Sequence, residues 1–156
     1  MAKPRYLRTV RLLAECYHAF ERLSGRHVRE LGLTPPQFDV IATLGNTEGM
    51  TAGDLSARTL ITKGTLTGVL DRLERAGLLS RCIGSGDRRT QHVRLTAAGE
   101  QVFERVFPAH VAHCQHAFVG IDDGTLASME SVLAQLRDRF EGAGDPAPNQ
   151  DKPFKP

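Results

Sequence analysis

Residues 62–95 read TKGTLTGVLDRLERAGLLSRCIGSGDRRTQHVRL, and the change of rhythm inside this stretch decides the fold. Its first half spaces Leu66, Val69, Leu70 and Leu73 so that they share one face of a helix. Thr62 starts that helix, and Gly77, able to take positive φ, terminates it. The second half changes period. Leu78 to Ile83 and His92 to Leu95 read as two short strands, with Gly84-Ser85-Gly86-Asp87 as the turn between them.

Upstream, Thr51-Ala52-Gly53-Asp54 caps a shorter helix holding Leu55. Before it, Thr34-Pro35-Pro36-Gln37 has a cap, a first-turn proline and a capping-box glutamine, opening a helix with Phe38, Ile41 and Leu44 that ends near Gly45-Asn46. From about Pro4 to Leu31 a long helix is expected, because Leu7, Val10, Ala14, Tyr17, Phe20, Ser24, Val28 and Leu31 recur at helical steps. Downstream, Thr96 caps a helix running from about Ala97 to Val119, with a kink expected at Pro108. Asp122 or Asp123 caps a last helix whose Leu126, Met129, Leu133, Leu136 and Phe140 form a heptad-like seam. Proline-rich residues after Gly142 suggest a disordered tail. The expected class is mainly α with a small β-hairpin wing. It is divided into a first helix (4–33), a winged helix-turn-helix lobe (34–95), C-terminal helices (96–141) and a tail (142–156).

The chain has 156 residues, a formal net charge of +2 and three cysteines. It lacks an apolar run of about 18 residues, and the charged start Met1-Ala2-Lys3-Pro4-Arg5 does not read as a signal peptide. No membrane partner and a cytoplasmic location are therefore expected. Cys16, Cys82 and Cys114 lie far apart with no CxxC pair, which argues against a disulfide framework or a zinc ribbon. Cys16 reads as a buried, inert thiol.

The charge is unevenly spread. Between Thr62 and Arg94, Lys63, Arg72, Arg75, Arg81, Arg88, Arg89 and Arg94 face only Asp71, Glu74 and Asp87. A basic surface on a near-neutral chain suits a polyanion, although a solvated charged face is the plainer alternative. A helix fits the major groove with its leading residues toward base edges. With its apolar face committed to a core, the helix from Thr62 offers Thr62, Lys63, Thr65, Thr67 and Arg72, while Gly64 and Gly68 permit close approach. Arg88 and Arg89 at the hairpin tip suit the negative potential of a minor groove, and Asp87 can pair with an arginine to hold the tip.

The runs Leu73-Glu74-Arg75-Ala76-Gly77-Leu78-Leu79-Ser80-Arg81, Asp87-Arg88-Arg89 and Val93-Arg94-Leu95-Thr96-Ala97-Ala98-Gly99 together resemble the MarR family of bacterial regulators. The Thr34-Pro35-Pro36-Gln37 start and Leu55-Ser56 fit as well, and the likeness spans roughly Arg5 to Phe140. This resemblance implies a homodimer on double-stranded DNA, with recognition helices in successive major grooves and wings in the flanking minor grooves. Asp87 and Arg89 match the family's Asp-x-Arg wing motif, with Arg88 at the variable position.

Dimerisation also follows from the stripes on the flanking helices, which exceed what the central lobe can cover. Leu7, Val10, Leu126, Met129, Leu133, Leu136 and Phe140 are the expected interface. The resemblance further implies a repressor released by a small aromatic or carboxylate effector. Its pocket would be walled by Tyr17, His18, Phe20, Arg22, Phe38, Ile41, Phe107 and His110, for each of which core packing is the plainer role. No cofactor is required. His110, His113, Cys114 and His116 cluster on one helix, and His110 and Cys114 have metal-ligand spacing. Phe38 and Asp39 stand where zinc-sensing relatives carry acidic and histidine ligands, so the match is incomplete. A zinc- or redox-responsive regulator of the same fold is one alternative. A small enzyme built on the histidine–cysteine cluster is the other, but no familiar catalytic motif is present, so no enzyme is expected.

Overall fold

The computed structural model describes residues 4–83 and 91–143. Its elements run α1 (Arg5–Glu30), α2 (Pro35–Leu44), β1 (Met50–Thr51), α3 (Ala52–Arg58), α4 (Lys63–Arg75), β2 (Leu79–Ile83), β3 (Gln91–Leu95), α5 (Ala97–Gln115) and α6 (Asp123–Gly142). A 3-10 turn occupies His116–Phe118. The chain divides into two compact units, Met1–Ala117 and Phe118–Pro156.

Local chemistry sets most helix ends. Thr34 accepts the Gln37 amide while the Gln37 side chain accepts the Thr34 amide at 2.9 Å, a complete capping box. Thr51 caps α3 and Thr96 caps α5 through the Asp54 and Gly99 amides, at 3.0 and 3.1 Å. Asp122 caps α6 by accepting Thr125 N–H at 2.8 Å, which also holds its carboxyl below the usual aspartate range. At the end of α4, Gly77 takes φ +72°. Leu78 N–H then returns to the Leu73 carbonyl and Gly77 N–H to that of Glu74, satisfying carbonyls that the helix leaves open.

The sheet has the order β1-β3-β2 and is antiparallel throughout. Arg81 stands opposite Val93, and Leu79 opposite Leu95. Along β3, Val93 and Leu95 are buried while Gln91 and Arg94 are exposed, the alternation of a strand with one face on a core. That core joins Val40, Ile41 and Leu44 of α2, Leu55 of α3, Leu66, Val69, Leu70 and Leu73 of α4, and Leu79, Val93, Leu95 and Phe103. It is the continuous apolar body of a helix-turn-helix backed by a small sheet.

Two expectations are corrected. The sheet contains a third strand, β1, which pairs Met50 with Val93 and Thr51 with His92. Helix α5 runs through Pro108 but stops at Gln115, short of Val119. Beyond it the chain tightens into the 3-10 turn, and Gly120 at φ +85° turns it away from helical geometry.

Candidate nucleic-acid interface

Helix α4 buries Leu66, Val69, Leu70 and Leu73 and exposes Thr62, Lys63, Gly64, Thr65, Thr67 and Arg72, with Gly68 half-buried beside them. The amphipathic pattern thus fixes which face is presented. Two details distinguish this face from an ordinary solvated one. The N-cap Thr62 makes no side-chain bond to the helix amides, and its hydroxyl donates instead to Thr65 Oγ1 at 3.0 Å. Amide N–H groups of the first turn therefore point outward without a side-chain cap, the arrangement that suits a phosphate oxygen. In addition, a Cβ at Gly64 would meet nothing within 4 Å, and one at Gly68 only the tip of Arg72 at 3.9 Å. Packing among the described residues does not explain either glycine.

The basic charge is less uniform than the sequence suggests. Arg81 of β2 reaches back to α4, donating Nε to Glu74 Oε2 at 2.9 Å and Nη2 to Asp71 Oδ1 at 2.7 Å, with a second Nη2 contact to Glu74. Its guanidinium holds the Glu74 carboxyl below the usual range. Arg81 thus joins the strand to the helix and is withdrawn from the free basic surface. Lys63, Arg72, Arg75 and Arg94 remain exposed. Asp87, Arg88 and Arg89 lie outside the described residues.

A second tie was not anticipated. Asp39 Oδ2 of α2 accepts the Leu60 N–H at 3.1 Å, fastening the turn that leads into α4. Burial pushes the Asp39 carboxyl up, and the Leu60 amide offsets part of this. Leu60 itself is 88% exposed on that turn.

The residues expected to wall an effector pocket divide between two environments. Tyr17, His18, Phe20 and Arg22 lie exposed along α1. The Tyr17 hydroxyl donates to Glu21 at 2.9 Å, which raises its pKa. Ile41 is in the core and His110 is buried with Phe38 edge-on to its ring at 4.5 Å, while the exposed Phe107 stacks on Phe103 at 5.0 Å. An open polar cavity of about 390 Å³ lies elsewhere, lined by residues that include Ser80, Arg94 and Thr96.

His110, His113 and Cys114 share α5, whereas His116 sits exposed in the 3-10 turn. Among the described residues no three histidine, cysteine or acidic side chains converge as a metal ion requires. The partner that sequence reasoning missed is His27 of α1, whose Nδ1 stands 3.1 Å from that of His110. Cys16 is exposed, not buried, within a stretch of α1 whose side chains are almost all exposed among the described residues. Burial raises the Cys114 thiol, so it is poorly disposed to form a thiolate.

Of the expected dimer contacts, Leu7, Val10, Met129, Leu133 and Phe140 are 46%, 45%, 47%, 51% and 53% exposed. Leu126 and Leu136 are half-buried. Among the described residues no helix is long and apolar enough to cross a membrane.

A sequence model of the MarR family matches residues 31–90, from the end of α1 into the basic hairpin. The uncharacterized HTH-type transcriptional regulator YkoM of Bacillus subtilis is 28% identical over 117 residues, 75% of this chain and 76% of its own. A crystal structure of a MarR-family regulator from Silicibacter pomeroyi is 25% identical with a TM-score of 0.69, over 83% of this chain and 87% of that one. The fold is also that of BpsR from Bordetella bronchiseptica, at 24% identity and a TM-score of 0.77, over 88% of this chain and 99% of that one. The BpsR structure concerns regulation of its DNA binding by 6-hydroxynicotinic acid. Helices and sheet are thus arranged as in these solved structures, and residues 31–90, which hold α2, α3, α4 and β2, match the MarR family of transcriptional regulators.

Proposed function

We propose that this regulator binds a near-palindromic operator as a homodimer and represses transcription until a small effector releases it. The observation that carries the reading is the face of α4: an uncapped helix start, exposed hydroxyls, Lys63 and two glycines with open space above them. Thr62, Lys63, Gly64, Thr65, Thr67, Gly68 and Arg72 contact the major groove. Arg88 and Arg89 reach the minor groove, with Asp87 fixing the tip, and this part rests on the sequence resemblance. The lobe 34–95 carries the DNA contacts, and 4–33 with 96–141 carry the pairing of subunits. The exposed apolar residues of α1 and α6 support the pairing, since such patches are usually covered.

The effector is a small aromatic or carboxylate compound held near the Tyr17, His18, Phe20, Arg22, Phe38, Ile41, Phe107 and His110 region. The acid named for BpsR, a protein of the same fold, is of that class. Binding changes the spacing of the two recognition helices and so weakens the grip on DNA. A chain without a membrane-crossing helix among its described residues suits work in the cytoplasm, and no side chain is given a catalytic role.

Footprinting on the DNA upstream of its own coding sequence tests the function. Two protected half-sites about 10 bp apart are expected, with affinity that falls steeply as salt rises. A single asymmetric half-site, or binding indifferent to salt, overturns the proposal.

A further inference from the structure

Where α1, α2 and α5 meet, three imidazoles are packed together. His110 is 6% exposed. Its Nδ1 lies 3.1 Å from His27 Nδ1, and its Nε2 lies 3.1 Å from Ser24 Oγ and 3.4 Å from Cys114 Sγ. His113 stacks on His27 with centroids 4.1 Å apart and planes 1° from parallel. Its own Nε2 is buried without a hydrogen-bond partner in this structure. The titratable groups facing His110 are therefore His27 from α1, and His113 and Cys114 from α5. From α2 comes only the ring of Phe38.

We propose that the His27–His110–His113 cluster is a proton-operated latch that joins α1 to α5 and loosens DNA binding as the solution becomes mildly acidic. The geometry sets the proton count. At 3.1 Å one Nδ1 must donate and the other accept, so His27 and His110 hold together only while at least one is neutral. A second proton puts N–H groups on both facing nitrogens and places two like charges against each other with no carboxylate among the groups that shift His110. The side chains then separate, and α1 moves relative to α5.

Burial, then the neighbouring His27 and His113, lower the His110 pKa from the ordinary 6.5. A base with a depressed pKa in the folded state contributes stability above its ordinary value and loses it as pH falls below. The window therefore lies below about pH 6.5, within reach of a cell under acid stress. The consequence for DNA rests on the proposed function. Phe38 touches His110 from α2, so the latch bears directly on the lobe that carries α4.

The test uses the full chain, His113→Phe and His110→Gln. His113→Phe keeps a ring to stack on His27 but removes a titrating group. Thermal unfolding is followed from about pH 8 to pH 5.5, alongside binding to a labelled duplex from the protein's own upstream region at constant salt. For the parent, Tm should decrease as the pH falls below about 6.5, and affinity should drop by about tenfold, within the ordinary range of coupling between two sites. His110→Gln should flatten both curves, and His113→Phe, which leaves the facing His27–His110 pair in place, should flatten them only in part. The sign is diagnostic, since general protonation of surface histidines adds positive charge and tightens DNA binding. Affinity that rises toward acid pH in the parent, or variants that keep its pH dependence, overturns the latch. Failure to bind the duplex at any pH counts against the proposed function instead, and the unfolding curves still decide the cluster.

Discussion

Arg81 on β2 donates to Glu74 and to Asp71 on α4, at 2.9 Å through Nε and 2.7 Å through Nη2. One side chain thereby ties the strand that starts the hairpin to the helix proposed to face DNA. Arg81→Met keeps the length of the stem and removes the fork, leaving both carboxylates without it. The altered protein should fold, because the acids are partly exposed, but bind operator about tenfold more weakly, the order of one charge-assisted contact. Anisotropy titration beside circular dichroism measures this. The arginine lowers the Glu74 pKa from about 4.5, so this tie contributes fully above that value and is lost as pH falls below it. Unchanged affinity in Arg81→Met excludes a positioning role.

Asp39 gives a prediction of opposite sign. Burial raises its carboxyl above the ordinary 3.8, so at neutral pH the folded protein bears the cost of a charged group in a half-buried place. Asp39→Asn removes that charge, and its amide oxygen can still accept the Leu60 N–H. Its Tm should equal or exceed the parent's at neutral pH, and any gain should vanish toward acid pH, where Asp39 itself becomes neutral. DNA affinity should persist in the asparagine variant and fall in Asp39→Ala, which has no acceptor for the turn. Calorimetry across pH, with matched DNA titrations, separates the two effects.

What the sequence disclosed follows the range of the interactions. The Thr34–Gln37 box, the Gly77 terminus and the α4 stripe depend on residues within about one or two turns of each other, and each is legible from spacing. Strand β1 is two residues long, too short for any period, and exists through its pairing with β3. The Arg81 fork was partly readable, since Asp71 and Glu74 stand three apart on one helix face. Only the hairpin geometry shows that they face an arginine seven and ten positions on. The His27–His110 contact joins positions 83 apart, so the α5 histidines were visible as a cluster while their actual partner was not.

Subunit pairing is tested on the exposed seam. Leu133 is 51% exposed and Leu136 half-buried on α6, and Leu7 and Val10 are exposed on α1. If a second copy covers these positions, Leu133→Glu with Leu136→Glu buries charge in an apolar seam, which is costly without a partner. Sedimentation at micromolar concentration should show a dimer for the parent and a shift toward monomer for the double variant. DNA affinity should fall with the dimer. A parent that sediments as a compact monomer rules out the pairing.

Two glycines separate folding from recognition most cleanly. A Cβ on Gly99 would run into the Leu78 carbonyl, a backbone atom that cannot swing aside. Gly99→Ala should therefore lower stability by about 1–3 kcal/mol, as overpacking does. Gly64 is exposed in the first turn of α4, and a Cβ there meets nothing within 4 Å. Alanine is the better helix former by up to about 1 kcal/mol, so Gly64→Ala should leave Tm unchanged or raise it. The added methyl nonetheless stands on the face proposed to approach DNA, where it holds the backbone away from base edges or phosphate. Operator affinity should fall about tenfold or more, the loss of one close contact in each half-site. Thermal unfolding and anisotropy on the same preparations supply both numbers. A Gly64→Ala protein that is as stable as the parent and binds operator as tightly would show that α4 does not meet DNA through its first turn.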